Sequence, residues 1–282
     1  MTIQHFILTR FNLVLWPHDK LGNENGTTEW LEHRCTIFAQ YCLASVAAQT
    51  SKDFEWILLV NDETPEEYRE KIESYKAICP QINVVYVKHE HNRRFAEVFR
   101  QAVQKRVSAD RVVTTYLDND DCLGKTFIAD VQSRFKDLPD KTFLYYREGY
   151  QFFTEFGLML KIRYPRNHFP SVIESRDSIR TIYGYGSHYY IDRMPDVRLE
   201  MVEGVPMWCE VIHERNESND AYFLSGIKQV RDKNLMQNLF SVDVEPDTHY
   251  TEIFVLHFVP RYIKTFARRV RGKLFGMKWL RY

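Results

Sequence analysis

The chain has 282 residues, with Lys+Arg 38 against Asp+Glu 38, a hydrophobic fraction of 44% and a charged fraction of 27%. That length suits one elaborated domain or two and can bury a real core. The even charge balance offers no field for nucleic acid, and the composition excludes a disordered or fibrous chain. The five cysteines (35, 42, 79, 122 and 209) form no C-x-x-C, so neither a disulfide framework nor a zinc ribbon is indicated and a cytoplasmic, reducing setting is expected. The first residues lack a signal peptide's basic and apolar regions, and no apolar run approaches the ~20 residues of a membrane span.

Strand and helix signals alternate through the first half. Residues 5–8 read as a first strand, followed by a polar, Gly/Asn-rich loop. Leu31, Cys35, Phe38, Cys42 and Val46 recur at helical spacing, so residues 30–49 read as an amphipathic helix. The run FEWILLV (54–60) predicts a strand buried on both faces. Thr64 as N-cap, Pro65 at the first helical position and Glu67 at the third predict a capping box. A strand at 82–87, a helix at 94–107, a strand at 112–117 and a helix at 126–135 complete the pattern. Such alternation predicts an open α/β sheet, mostly parallel, with its ligand at the carboxyl ends of the strands. The second half is less regular. Residues 143–156 predict one or two strands, 184–186 a turn, and 207–213 a short strand or helix ending in His213.

Between Gly26 and Gly124 there is no glycine. A dinucleotide fingerprint and a P-loop both need glycine so that backbone N–H groups can approach phosphate, so neither exists here. A diphosphate on this sheet must instead be met by a cation on carboxylates and by arginine. The strand at 112–117 ends in Asp118-Asn119-Asp120-Asp121, a D-x-D suited to Mg²⁺ or Mn²⁺. The EF-hand alternative fails, because Cys122 and Leu123 occupy loop positions five and six.

The stretch RFAEVFR (94–100) followed by YLDNDD (116–121) resembles the core of a GT-A glycosyltransferase. More narrowly, the chain is similar to the putative rhamnosyltransferase family of bacterial glycosyltransferases. The matching pieces are residues 5–12, Arg34, Phe38, 41–46, Gln49, 54–56, 64–65, 117–121 and 208–213 with Asn216, Ser218 and Asn219. The resemblance implies a GT-A-like open mixed sheet, with a nucleotide-sugar-binding half at 1–140, an acceptor half at 141–255 and a basic amphipathic tail at 256–282. It implies a metal on Asp120 and His213, although Glu214 and Arg215 stand where small residues are usual. Thr9, Arg10, Phe11, Asp62, Arg94 and Asp118 would bind the nucleotide-sugar, linked to UDP, GDP or dTDP. Trp208 would stack on a saccharide or glycolipid acceptor.

The implied reaction is an inverting transfer with a carboxylate base: Glu210 first, then Asp121 or Glu203. A non-catalytic metal-dependent carbohydrate-binding protein and a phosphohydrolase are the competing classes. Beyond Glu252 the chain has no acidic residue, while Arg and Lys accumulate among Phe266, Phe275, Trp279 and Tyr282. This pattern suits peripheral contact with an anionic membrane face.

Overall fold

Both strands expected at the start of the pattern form. In the computed structural model, which describes residues 2–19, 22–188, 190–216, 228–247, 259 and 263, β1 (Ile3–Arg10) and β2 (Glu55–Asn61) pair in parallel. Alternate residues of β2 enter different cores. Trp56, Leu58 and Val60 join one cluster, and Ile57 and Leu59 another. A strand buried on both faces needs a layer on each side. One layer is the helical stretch between the strands: α1 (Thr28–Ile37), a widened π-helical turn (Phe38–Leu43) and α2 (Ala44–Ala47). The widened turn interrupts the regular helix expected at 30–49, a departure that recurs near functional sites. Its Phe38 ring packs 5.4 Å from Trp56, and burying each such ring contributes about 1.5–3 kcal/mol.

The alternation continues through α3 (Glu66–Ser74), β3 (Ile82–Val87), α4 (Phe95–Gln104) and β4 (Arg111–Tyr116). The capping box does not form. Pro65 is the N-cap, and the Thr64 hydroxyl is used by Asn12 Nδ2 (2.8 Å) and the Asn61 carbonyl (2.6 Å). α4 begins after Arg94 because His89–Arg94 form a 3-10 turn.

After β4 the chain turns through residues 118–121 and changes sheet. β5 (Cys122–Leu123) belongs to a second sheet, and α5 (Phe127–Phe135) follows it. β6 (Thr142–Tyr146) returns to the first sheet, and β7 (Glu148–Phe153) to the second. The remaining described strands are β8 (Leu158–Arg163), β9 (Ser171–Ser175), β10 (Arg198–Val202), β11 (Trp208–Ile212) and β12 (Lys228–Gln229). Among the described residues the first sheet has the order β10-β6-β9-β4-β1-β2-β3, and the second β12-β8-β7-β11-β5. Within the first sheet β3, β2, β1 and β4 are parallel, β9 runs antiparallel to both its neighbours, and β10 is parallel to β6. This is the expected mixed, mostly parallel sheet with flanking helices. The irregular half supplies a second sheet, and the two expected halves interleave, since β6 and β9 extend the first sheet and β5 enters the second.

Two pairings position the site. β9 is antiparallel to β4, with Ser171 opposite Thr115, so its start lies at the rim where β1 and β4 end. β11 pairs antiparallel with β5, Cys209 opposite Cys122, so its continuation passes residues 118–121. Trp208 fits only because Gly149 lies beneath it: a Cβ there would stand 2.2 Å from the indole ring. The five cysteines are free and buried. The basic tail lies outside the described residues apart from positions 259 and 263, as do Ser218 and Asn219. No helix of the described residues is long and apolar enough to cross a membrane.

Candidate active site

Each residue of the turn 118–121 has its own anchor. Asp118 accepts from Arg10 at 3.0 Å and from the Tyr116 hydroxyl at 2.9 Å. Asn119 is a buried pin: its amide nitrogen donates to the Phe11 carbonyl at 2.6 Å, and its oxygen accepts from Arg34 at 2.8 Å. Asp120 Oδ2 lies 3.1 Å from His213 Nε2 and accepts from Asn216 Nδ2 at 2.9 Å. Asp121 is sealed, with Oδ1 accepting from the Val211 N–H at 2.9 Å and Oδ2 lying 3.0 Å from His168 Nε2. A cleft of about 110 Å³ opens above the turn. Asp118, Asn119 and Asp120 line it together with Arg10, Arg34 and Arg215. Three guanidinium groups around two carboxylates form a site that can hold an anion and a cation side by side.

The two aspartate–histidine pairs differ in electrostatics. Burial raises the Asp120 pKa, but the His213 hydrogen bond and the charges of His213 and Arg34 outweigh it and hold the carboxyl below its ordinary value. Burial, reinforced by the charges of Asp120 and Asp118, pushes Asp121 well up. Glu210, beneath them, is pushed up to about 7, chiefly by burial. Around Arg10, burial works against the charge, but the oxygens of Tyr116, Tyr183 and Asp118 more than offset it and raise its pKa.

His213 has a tautomer set by its neighbours. The Arg215 backbone N–H donates to its Nδ1 at 3.3 Å, so in this arrangement the neutral ring carries its proton on Nε2, toward Asp120. His33 Nε2 lies 3.3 Å from the same Nδ1 and offers a second partner.

Several expected site residues lie elsewhere. Thr9 is fully buried, and its hydroxyl accepts from Trp56 Nε1 at 2.9 Å, so it belongs to the core and does not line a nucleoside pocket. Trp208 is also core, donating to the Tyr146 carbonyl at 2.8 Å and stacked on Phe169 at 4.9 Å; no acceptor sugar can reach it. Glu203 pairs with Arg147 and Arg163 on the surface. Glu210 is 1% exposed and bonded to Gln151 at 2.6 Å, so it cannot meet an acceptor hydroxyl directly. Both oxygens of Asp121 are engaged, so it reaches substrate only through His168. Arg94 is the exposed N-cap residue of α4 and does not line the cleft. Asp62 accepts from the His89 N–H at 3.0 Å at the β2 rim. Arg10, Phe11, Asp118 and Asp120 do line the cleft, and His213 stands behind Asp120.

Arg34, a piece of the family resemblance, and Arg215 and His168 carry no site role in the sequence reading. Arg34 had a local signal, one helical turn after Trp30, whose ring lies 4.4 Å from its guanidinium. His168 had none, because only the reversed direction of β9 brings it to this rim.

Two donor sets lie near enough together to be weighed as a divalent-cation site. Asp118, Asp121 and His168 place ligand atoms within 4.8 Å of one another. Asp121, however, is sealed, fully hydrogen-bonded and pushed toward its protonated form, which makes a poor ligand. Asp120 lines the cleft and His213 stands behind it 3.1 Å away, near the separation of about 3 Å between adjacent ligands of an octahedral Mg²⁺ held at ~2.1 Å. The second set fits.

A family model described as "Putative rhamnosyl transferase" matches residues 23–223. No curated protein matches the sequence significantly. Among similar solved structures, S. aureus TarS 1-349 is 11% identical, with 75% of this chain and 60% of that chain covered and a TM-score of 0.42. The glycosyltransferase GlyE of Streptococcus pneumoniae TIGR4 is 15% identical, with 71% and 45% covered and a TM-score of 0.36. The inositol-1-phosphate CTP transferase of T. maritima is 10% identical, with 74% and 89% covered and a TM-score of 0.38. This chain thus spans about 60% of the first of these structures.

Proposed function

The chain belongs to the putative rhamnosyl transferase family, a family of glycosyltransferases, and from that premise we propose that it moves a sugar, rhamnose by the family's description, from a nucleotide-sugar to a saccharide or glycolipid acceptor. The observation that carries the reading is the turn 118–121, set where the chain crosses between two sheets and facing a cleft ringed by Arg10, Arg34 and Arg215. In this proposal Arg34 and Arg215 meet the donor diphosphate, and Asp118, held by Arg10, faces the ribose. Asp120 and His213 hold Mg²⁺ or Mn²⁺, which supplies charge neutralisation for the leaving diphosphate. With Nε2 as the ligand atom the His213 proton would sit on Nδ1, and His33 Nε2, 3.3 Å away, would accept its hydrogen bond.

The transfer is inverting, and the acceptor's proton passes to His168. A His168 ring nitrogen lies within 4.8 Å of an Asp118 carboxylate oxygen, and His168 Nε2 is held 3.0 Å from the buried Asp121. An imidazole held in place by a hydrogen-bond partner is a recurrent general base. This replaces Glu210 and Glu203 in that role and leaves Asp121 a positioning part.

Melting curves with UDP-, GDP- and dTDP-sugars, with and without Mn²⁺, test the reading. A ligand at 100 times its Kd stabilises the folded state by about 2.7 kcal/mol. One nucleotide class should raise Tm by several degrees only with the metal, and transfer to a saccharide should follow with the same donor. Binding without turnover would favour the non-catalytic alternative, and phosphate release from simple esters the hydrolase.

A further inference from the structure

Beside the carboxylate cleft lies a second cavity of about 350 Å³, within the roughly 300–1,000 Å³ of small-ligand sites. Its walls include Phe95, Tyr116, Tyr183 and Ile191, with Ser187 at its mouth. Arg10 lines both cavities, and its guanidinium lies 5.0 Å from the Phe95 ring and 5.4 Å from the Tyr183 ring. The Tyr116 hydroxyl bonds Asp118, so the wall of one cavity is the anchor of the other.

The segment forming the far wall is held in an unusual conformation. Thr181 has φ +65° and is fully buried. The buried Glu174 carboxylate fixes it, accepting the N–H groups of Arg180 and Thr181 at 2.9 Å each and the Tyr185 hydroxyl at 2.9 Å. A non-glycine residue at positive φ persists only where its surroundings over-determine it, and such sites concentrate around ligands. Gly186, at φ +75°, then turns the chain past the mouth, and nothing lies within 4 Å of its absent Cβ.

We propose that this aromatic cavity is the acceptor subsite and binds a neutral saccharide ring, an inference that rests on the transferase reading above. The chemistry selects the occupant. Arg10 is already neutralised by Asp118, so the cavity has no free charge for a phosphate. Aromatic faces suit the C–H face of a pyranose, and the exposed Ser187 adds a polar group to the lining. The position also fits, because Arg10 lines this cavity and the carboxylate cleft alike, so a ring seated here lies beside the proposed donor site.

Saturation-transfer NMR and calorimetry with methyl rhamnoside, glucoside, galactoside and N-acetylglucosaminide, run with Mn²⁺ and nucleoside diphosphate, test this. At least one glycoside should bind the wild type, with transfer to its ring protons. Ser187→Trp, an exposed substitution that fills the mouth, should weaken it tenfold or more while nucleoside diphosphate binding stays unchanged. Unaltered glycoside binding in Ser187→Trp, or no glycoside binding to wild type that binds nucleotide, overturns the subsite and leaves the transferase reading standing. Loss of nucleotide binding in Ser187→Trp assigns the cavity to the donor and also overturns it. Failure of any nucleotide to bind the wild type instead removes the transferase reading itself.

Discussion

Asp120 and Asp121 are neighbours with the same side chain, each facing a histidine at about 3 Å, yet they do opposite things. Asp120 lies at the cleft, and its histidine and Arg34 keep it ionised. Asp121 points into the seam between the sheets, where burial and two nearby carboxylates push its pKa up. The difference follows from the turn. The chain turns at Asn119 and Asp120 before β5 starts, which leaves Asp120 on the cleft wall and carries Asp121 into the fully buried interior. A D-x-D-D motif thus supplies one carboxylate for a ligand and one for the scaffold.

The sharpest way to break this contrast is to neutralise each member. Asp120→Asn should lower kcat/KM for transfer on the order of 10³-fold, as lost electrostatic stabilisation does, with Tm within about 2 °C of wild type. Asp121→Ala should lower stability, which Asp120→Asn leaves nearly unchanged, and lose rate only through the loosened His168. It strands the Val211 N–H and unpairs His168, costing about 3 kcal/mol in chemical denaturation. If the two variants exchanged these phenotypes, the division of labour would be wrong.

Glu210 extends the scaffold side of the comparison. Its folded pKa of about 7 lies above the ordinary 4.5, so the proton favours the folded state. That contribution is full below about pH 4.5, fades as pH rises toward 7 and is gone above it. Glu210→Gln should therefore match wild type near pH 4.5 and exceed it at pH 8 by up to about 3 kcal/mol, read from urea midpoints at both pH values. An equal offset at both pH values would place the ionised carboxylate in a satisfied environment. The smallest effect belongs to the cleft side. His33→Ala should weaken Mn²⁺ binding about tenfold by calorimetry, and His33→Gln, which restores an acceptor, should recover most of it.

The first sheet was readable because its signals are local. An apolar run, a helical spacing and a glycine-free stretch each report on a few residues. Asp118 and Asp120 were readable for the same reason. Thr9 was misplaced by one position of strand parity: its neighbour Arg10 emerges at the rim while Thr9 turns inward to Trp56. Trp208 and Glu210 looked like site residues because they precede His213 in the chain. Their burial depends on β11 being sandwiched between β7 and β5, a pairing no local pattern encodes. His168 was invisible because its approach to Asp121 spans 47 residues and depends on the direction of β9.

The most direct test is a calorimetric titration of the nucleoside diphosphate into wild-type protein and Asp120→Asn, each in Mn²⁺ and in EDTA. Saturable binding by wild type in Mn²⁺, at least tenfold weaker in EDTA and in the variant, is the predicted result. Equal affinity in all four titrations, or none in any, would contradict a cation held on Asp120 that shields the donor's diphosphate.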